Sequence, residues 1–250
     1  MVASIKKIIL KTLNACGFQL VRTGGFYAED NGRFMELYKK IKPYTMSSMD
    51  TMLALYRSVK YIIHNRVEGD IVICGVWKGG CAMLCALTLL SLGQTKKKIF
   101  LYDTFKGMTE PSEKDVTFWG LNAKKVWASS QRKQHNQWCY GSLQETKNNL
   151  SSTGYPIENI VFIEGDVRQT LPKMAPQNIA LLRLDTDMHD STRHELVHLY
   201  PLLSRQGVIM IDDYEMWLGQ RKAVDSYLQE NNIKILLHRV DDFASIGIKT

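Results

Sequence analysis

The 250-residue chain reads as an α/β domain, a doubly wound and mostly parallel seven-stranded sheet with a helical N-terminal cap, and three stretches carry that reading. Residues 179–184 and 208–211 are short apolar runs that each end abruptly in aspartate, as buried parallel strands do. Between them, residues 191–203 space their apolar side chains as a helix does, so the parse is strand, crossover helix, strand. A crossover makes the two strands parallel and places both aspartate clusters at carboxyl ends, on the sheet edge where open α/β sheets bind ligands. The third stretch is Asp70-Ile71-Val72-Ile73-Cys74, then Gly75-Val76-Trp77-Lys78-Gly79-Gly80, then an apolar helix over 81–92: strand, glycine-rich turn, helix.

Taken in order, residues 1–20 form an amphipathic helix with Ile5, Ile8, Ile9 and Leu13 on one face. Lys6, Lys7 and Lys11 interrupt it, which excludes a signal-peptide core and leaves docking on the protein's own body, or peripheral membrane contact, as its use. Residues 34–41 form a short helix, and Ser47 or Ser48 N-caps a second over 49–64, with Leu53, Tyr56, Val59, Tyr61 and Ile63 facing inward. Residues 1–66 are thus a helical cap segment and 67–250 the main domain. The second strand, 98–102, ends in Asp103, where a carboxylate can either grip a ribose through its two hydroxyls or cap a turn. Residues 107–141 are irregular and rich in aromatics, suiting a lid or substrate wall. A helix over 143–150 leads to a strand over 160–163, which ends beside Asp166, and a helix over 221–228 precedes the last strands, 233–238 and 244–248.

Bulk properties set limits. Apolar residues make up 45% and charged residues 23%, enough for one ordinary core. The net charge of +7 is scattered over short Lys and Arg pairs, so no nucleic-acid partner is expected. The five cysteines, Cys16, Cys74, Cys81, Cys85 and Cys139, are odd in number and lack a CxxC, which argues for reduced thiols and a cytoplasmic setting. No apolar run is long enough to span a bilayer.

Asp185, Asp212 and Asp213 sit where the two strands end. Three converging carboxylates repel one another, and a hard divalent cation, Mg²⁺ with Mn²⁺ or Ca²⁺ as substitutes, relieves this; the alternative is that each aspartate caps a helix. His189, four residues after Asp185, is either a general base at the mouth of that site or a surface residue. His194-Glu195-Leu196-Val197-His198 matches the HExxH zinc-protease pattern, but it lies on the body of the crossover helix, away from the ligand edge, and a metalloprotease is set aside.

A set of segments in order carries a more specific signal. It comprises Tyr44-Thr45-Met46-Ser47, the 75–80 turn, Asp103-Thr104-Phe105-Lys106-Gly107, Thr170-Leu171-Pro172, Arg183-Leu184-Asp185-x-Asp187-x-x-x-Ser191-Thr192, Leu199-Tyr200-Pro201 and Ile211-Asp212-Asp213-Tyr214. Together these resemble the macrocin O-methyltransferases, class I S-adenosylmethionine (SAM) enzymes that methylate sugar hydroxyls of antibiotics. The resemblance implies a Rossmann-like methyltransferase fold and a metal held by Asp185, Asp212 and Asp213. It also implies SAM lying against Gly75, Val76 and Gly79 at its amino-acid end, Asp103 and Thr104 at its ribose, and Asp166 and Val167 at its adenine, with Thr45 and Met46 closing over it. Asp185 or His189 would take a proton from an acceptor hydroxyl, the acceptor being a small molecule or glycan with neighbouring hydroxyls. A homo-oligomer is expected. The family usually has an acidic residue where this chain has Ile73, often Tyr where it has His189, and a small polar residue where it has Cys81. The first departure leaves a non-catalytic nucleotide- or sugar-binding protein as the alternative, and a non-sugar diol is the other acceptor class.

Overall fold

The computed structural model describes residues 32–250, so the expected helix over 1–20 lies outside the described residues. The sheet consists of β1 (Asp70–Cys74), β2 (Ile99–Asp103), β3 (Ile160–Glu164), β4 (Ile179–Leu184), β5 (Leu203–Ile211), β6 (His238–Arg239) and β7 (Ser245–Ile248). They hydrogen-bond in the order β3-β2-β1-β4-β5-β7-β6. The first five pair in parallel and β7 runs antiparallel between β5 and β6, so the sheet is mixed. Strand order reverses between β1 and β4, which opens the crevice at their carboxyl ends.

Eight helices flank it among the described residues: α1 (Arg33–Ile41), α2 (Met49–His64), α3 (Gly80–Ser91), α4 (Ala123–Ser129), α5 (Leu143–Ser151), α6 (Val167–Thr170), α7 (His189–Leu199) and α8 (Leu218–Glu230). Residues 34–250 form one compact unit, which contains α2 and, from Phe34 on, α1. Ile71, Val72, Ile73 and Cys74 of β1 are fully buried, and every residue of β4 is buried. Helices on both faces explain why these strands read as continuous apolar runs.

Local chemistry sets the boundaries. The Ser48 hydroxyl accepts from the Thr51 N–H at 3.1 Å and starts α2 at the expected residue. The inward stripe of α2 runs Met52, Leu55, Tyr56, Val59 and Ile62; Tyr61 and Ile63 are only half-buried, a correction to the expected face. The crossover helix begins at His189 and ends at Leu199, because a tight turn over Tyr200–Leu202 containing Pro201 follows. β5 therefore starts at Leu203 rather than 208. The expected strand over 233–238 pairs only at His238 and Arg239. Ile233, Ile235 and Leu237 still pack against the core, so the alternating pattern reports one buried face and not a hydrogen-bonded ladder. The 107–141 excursion contains α4 and sends Met108 and Trp138 to the ligand crevice.

Ser48 and Thr51 also donate to the Asp241 carboxylate, tying the start of α2 to the loop before β7. Replacing Ser48 by Ala removes a helix cap, so it should lower the unfolding free energy by about 1 kcal/mol in urea titrations. A loss within a few tenths of a kcal/mol of zero would mean that neither contact of this hydroxyl stabilises the fold.

Candidate active site

One cavity of about 440 Å³ lies along the carboxyl ends of β1, β2, β4 and β5. Its first end is built by the glycine-rich turn. Gly75 has φ +81°, and a β-carbon there would sit 2.0 Å from the Asp185 carbonyl oxygen, so only glycine lets the end of β1 pass so close to the end of β4. Gly75, Val76, Trp77 and Gly80 line the cavity. Gly79, expected to touch the cofactor, does not line it; it is the left-handed N-cap of α3 and shapes the turn. Asp103 faces the same turn. Its carboxylate accepts from the N–H groups of Val76 (2.7 Å), Trp77 (3.1 Å) and Phe105 (2.7 Å). A carboxylate has about four acceptor sites, so capacity for a ligand hydroxyl remains. Burial raises the Asp103 pKa, against the pull of those N–H groups.

Thr45, Met46, Thr104, Asp166 and Val167, the other expected cofactor contacts, also line the cavity. Asp166 has other work too: it N-caps α6 and forms an ion pair with Arg168 at 2.5 Å. Burial acts to raise its pKa, but the Arg168 guanidinium and N–H hold it below the usual range. Ile73 is fully buried within β1, pairs in register with Arg183, and is not a cavity residue.

The second end is acidic. Arg183, Asp185 and Asp187 alternate off the end of β4, and Asp212 and Asp213 follow β5. The Arg183 side chain is fully buried, and its Nη1 donates to Asp185 at 2.5 Å. Its Nη2 donates to Asp212 and to the Ser47 hydroxyl (3.1 Å), and Ser47 in turn donates to Asp212 at 3.3 Å. Carboxylate oxygens of Asp185, Asp187 and Asp213 all lie within 4.8 Å of one another. Three oxygens on a coordination shell of radius roughly 2.0–2.5 Å lie about 3–5 Å apart, so the group fits one hard divalent ion. The expected trio was Asp185, Asp212 and Asp213. The structure draws Asp187 into the cluster and turns Asp212 toward Arg183, while all four carboxylates line the cavity.

His189 lies elsewhere. Its Nδ1 is 2.6 Å from an Asp190 carboxylate oxygen and 3.3 Å from Lys114 Nζ, and the residue does not line the cavity. Within the HExxH match the two rings lie 4.4 Å apart, but Glu195 is fully buried and bonded to Thr186, so no three-ligand site forms there among the described residues. Sequence reasoning passed over Asp187, Arg183 and Ser47 as site residues. The signal was there: Arg183 is a charge inside an apolar strand, and Asp187 continues its two-residue alternation with Asp185.

A sequence model of the macrocin-O-methyltransferase (TylF) family matches residues 2–246. The chain is 28% identical over 198 residues to the 8-demethyl-8-(2,3-dimethoxy-alpha-L-rhamnosyl)-tetracenomycin-C 4'-O-methyltransferase of Streptomyces olivaceus, covering 79% of this chain and 72% of that protein. It is 29% identical, with the same coverage, to the demethyldecarbamoylnovobiocin O-methyltransferase of Streptomyces niveus. The structure of the O-methyltransferase NovP superposes with a TM-score of 0.73 at 28% identity, over 83% of this chain and 82% of that one.

Charge balance at the acidic end has a measurable consequence. Burial, then the neighbouring carboxylates, pushes Asp213 up to about 7 and Asp187 well above the ordinary range; burial does the same to Asp185 against the pull of Arg183. A carboxyl whose folded pKa is raised stabilises the fold fully below its unfolded pKa, and that contribution disappears as pH rises through the folded value. The metal-free protein should therefore lose thermal stability between about pH 5 and about pH 8, and millimolar Mg²⁺ should restore it more at the upper end. Thermal melts with Mg²⁺ and with chelator at both pH values check this; equal Mg²⁺ shifts at the two would contradict it.

Proposed function

The chain belongs to the macrocin-O-methyltransferase family, and from that premise and the geometry above we propose that it methylates one hydroxyl of a vicinal diol on a sugar, in a glycosylated natural product or polysaccharide. As a member of that family it is a SAM-dependent O-methyltransferase. The observation that supports the reading best is a single cavity bounded by the glycine-rich turn and Asp103 at one end and by Asp185, Asp187 and Asp213 at the other. The two ends are joined through Gly75 and the Asp185 backbone, so a donor and an acceptor would lie side by side.

When bound, SAM supplies an electrophilic methyl group, and a divalent ion supplies a positive field that lowers the pKa of an acceptor hydroxyl. Val76, Trp77, Asp103 and Thr104 would hold the donor's amino-acid and ribose portions, Asp166 and Val167 would border its adenine, and Thr45 and Met46 would cover it. Asp185, Asp213 and Asp187 would hold the ion, with Asp212 beside them and fixed by Arg183. Asp185 and Asp187 are the candidate proton acceptors. Both line the cavity at its acidic end, where a carboxylate oxygen can accept a proton from an acceptor hydroxyl. Trp138 and Trp217 line the same cavity and offer it apolar surface. His189 drops to a secondary candidate, since reaching the cavity requires its ring to leave Asp190.

Cys74, Cys81, Cys85 and Cys139 carry free thiols, which agrees with a cytoplasmic setting, and no helix among the described residues is long and apolar enough to cross a membrane.

Calorimetry with SAM, and methyl transfer to a sugar diol with and without chelator, test the reading. Asp103→Ala should weaken SAM binding about tenfold or more, the loss of a charge-assisted hydrogen bond. Asp→Asn at 185, 187, 212 or 213 should cut transfer at least 10²-fold while SAM affinity changes little. Undiminished transfer in strong chelator would remove the metal, and absence of SAM binding by the intact protein would remove the donor assignment.

A further inference from the structure

α7 buries a carboxyl that the methyl-transfer reading does not use. Glu195 is fully buried, yet its Oε2 has no hydrogen-bond partner of nitrogen or oxygen among the described residues. Its Oε1 lies 3.0 Å from the Thr186 hydroxyl, and that hydroxyl lies 2.9 Å from the Ser191 hydroxyl. Ser191 is 3.1 Å from the Met188 carbonyl oxygen, with the Thr186 carbonyl a longer second acceptor at 3.4 Å, so its hydrogen goes to the backbone. Thr186 stands between Asp185 and Asp187, and its own carbonyl accepts from the Met188 N–H at 2.7 Å. That bond spans two residues, with Asp187 at its centre and at φ +63°. A γ-turn of this hand is rare and strained, and it persists only where its surroundings hold it.

Hydrogen counting fixes the direction of the chain. Thr186 and Ser191 have one hydroxyl hydrogen each, while the contacts Glu195–Thr186, Thr186–Ser191 and Ser191–Met188 need three donors. The Met188 carbonyl can only accept, so Ser191 gives it its hydrogen. Thr186 then donates to Ser191, and the remaining hydrogen must come from Glu195. An ionised Glu195 would take the Thr186 hydrogen, break the order of the chain and leave its other buried oxygen with no donor stronger than the Cys74 thiol, which is costly. The groups bearing on its charge are the Cys74 thiol of β1, the Thr186 hydroxyl and, at longer range, the Asp166 carboxylate. Burial, the largest influence, pushes Glu195 up to about 8.

We propose that Glu195 is a positioning residue: a neutral carboxylic acid that donates into a one-way chain, Glu195 to Thr186 to Ser191 to the Met188 carbonyl, and so clamps the strained turn that presents Asp187 to the cation site. The chain ends in the backbone on the far side of Asp187, so both flanks of the turn are held by one line of hydrogen bonds. The use of the turn rests on the proposed metal site; the protonation state and the clamp do not.

Three measurements on the whole protein test this. At neutral pH the infrared difference spectrum of wild type minus Glu195→Gln should contain the carbonyl stretch of a protonated carboxyl; a carboxylate band in its place overturns the proposal. Native-state hydrogen exchange of the Met188 amide should be about tenfold faster in Glu195→Met and in Thr186→Val, and near wild type in Glu195→Gln, whose amide can still donate. Exchange in Gln as fast as in Met would mean an ionised carboxylate was required, and unchanged exchange in Met would mean there is no clamp. Mn²⁺ affinity by calorimetry should fall about tenfold in Glu195→Met and in Thr186→Val, no further in the double variant, while S-adenosylhomocysteine affinity holds. Wild-type Mn²⁺ affinity in Glu195→Met overturns the positioning role. If wild type itself binds no Mn²⁺, the metal reading fails, and the infrared band and the exchange rates still decide whether Glu195 is the neutral clamp.

Discussion

The structure depends on how one buried guanidinium settles a crowd of carboxylates. Four aspartates converge from the ends of β4 and β5, and Arg183 is fully buried among them. In register it lies between Ile73 on β1 and Met210 on β5, so neither neighbouring strand offers it an acceptor. Its nitrogens reach instead for Asp185, Asp212 and Ser47, at the sheet edge. Burial works against its charge, and the two carboxylates hold it charged. Removing one member of such a set typically costs about 3–5 kcal/mol, because the remainder is a buried, unpaired charge. Arg183 thus fixes Asp185 and Asp212, while among the described residues no ion pair reaches Asp187 or Asp213; all four carboxylates line the cavity.

The two ends of the cavity are not independent. Gly75 passes so close to the Asp185 carbonyl that no side chain fits between them, and the Asp212 N–H donates to the Leu184 carbonyl at 2.9 Å. The glycine-rich turn and the strand ends that carry the acids therefore share one backbone frame. Ser47 adds a link from the segment before α2, which also carries the cavity residues Thr45 and Met46. In-line transfer rewards this kind of rigidity, since misplacement of the reacting atoms by about 1 Å can cost roughly 10²-fold in rate.

Much of this was legible in the chain. Continuous apolar runs announced strands buried on both faces, and aspartates at their ends announced the ligand edge. What escaped was the direction in which individual side chains turn. His189 begins α7, and whether a first-turn ring faces the site or its neighbour Asp190 is decided by local charges that helical periodicity does not encode. Asp187 was read within a motif but not as a member of the acidic cluster, because its left-handed backbone swings it inward, and no periodicity signals a positive φ at an aspartate. Glu195 sat inside a zinc-protease pattern whose two histidines drew the eye, while the glutamate packed the opposite way, under the strand ends. The short pairing of β6 escaped because burial of alternate residues does not require a ladder.

Burying acids at the ligand edge works against the fold, and the arrangement makes sense only as a site. Asp185, Asp187 and Asp213 are each lifted by burial, which disfavours their charged forms in the free protein. A site left in that state can exchange protons for a cation or accept one from a hydroxyl, and ordinary surface aspartates, fully ionised and hydrated, do neither well at neutral pH. Local rules are broken here in a cluster: charged residues inside a sheet edge, two aspartates with positive φ, and an arginine among apolar strands. Elsewhere in the sheet, apolar pattern and burial agree. Concentration of the violations along one cavity, between a glycine-forced close approach and a clamped turn, is what separates a working site from accumulated strain.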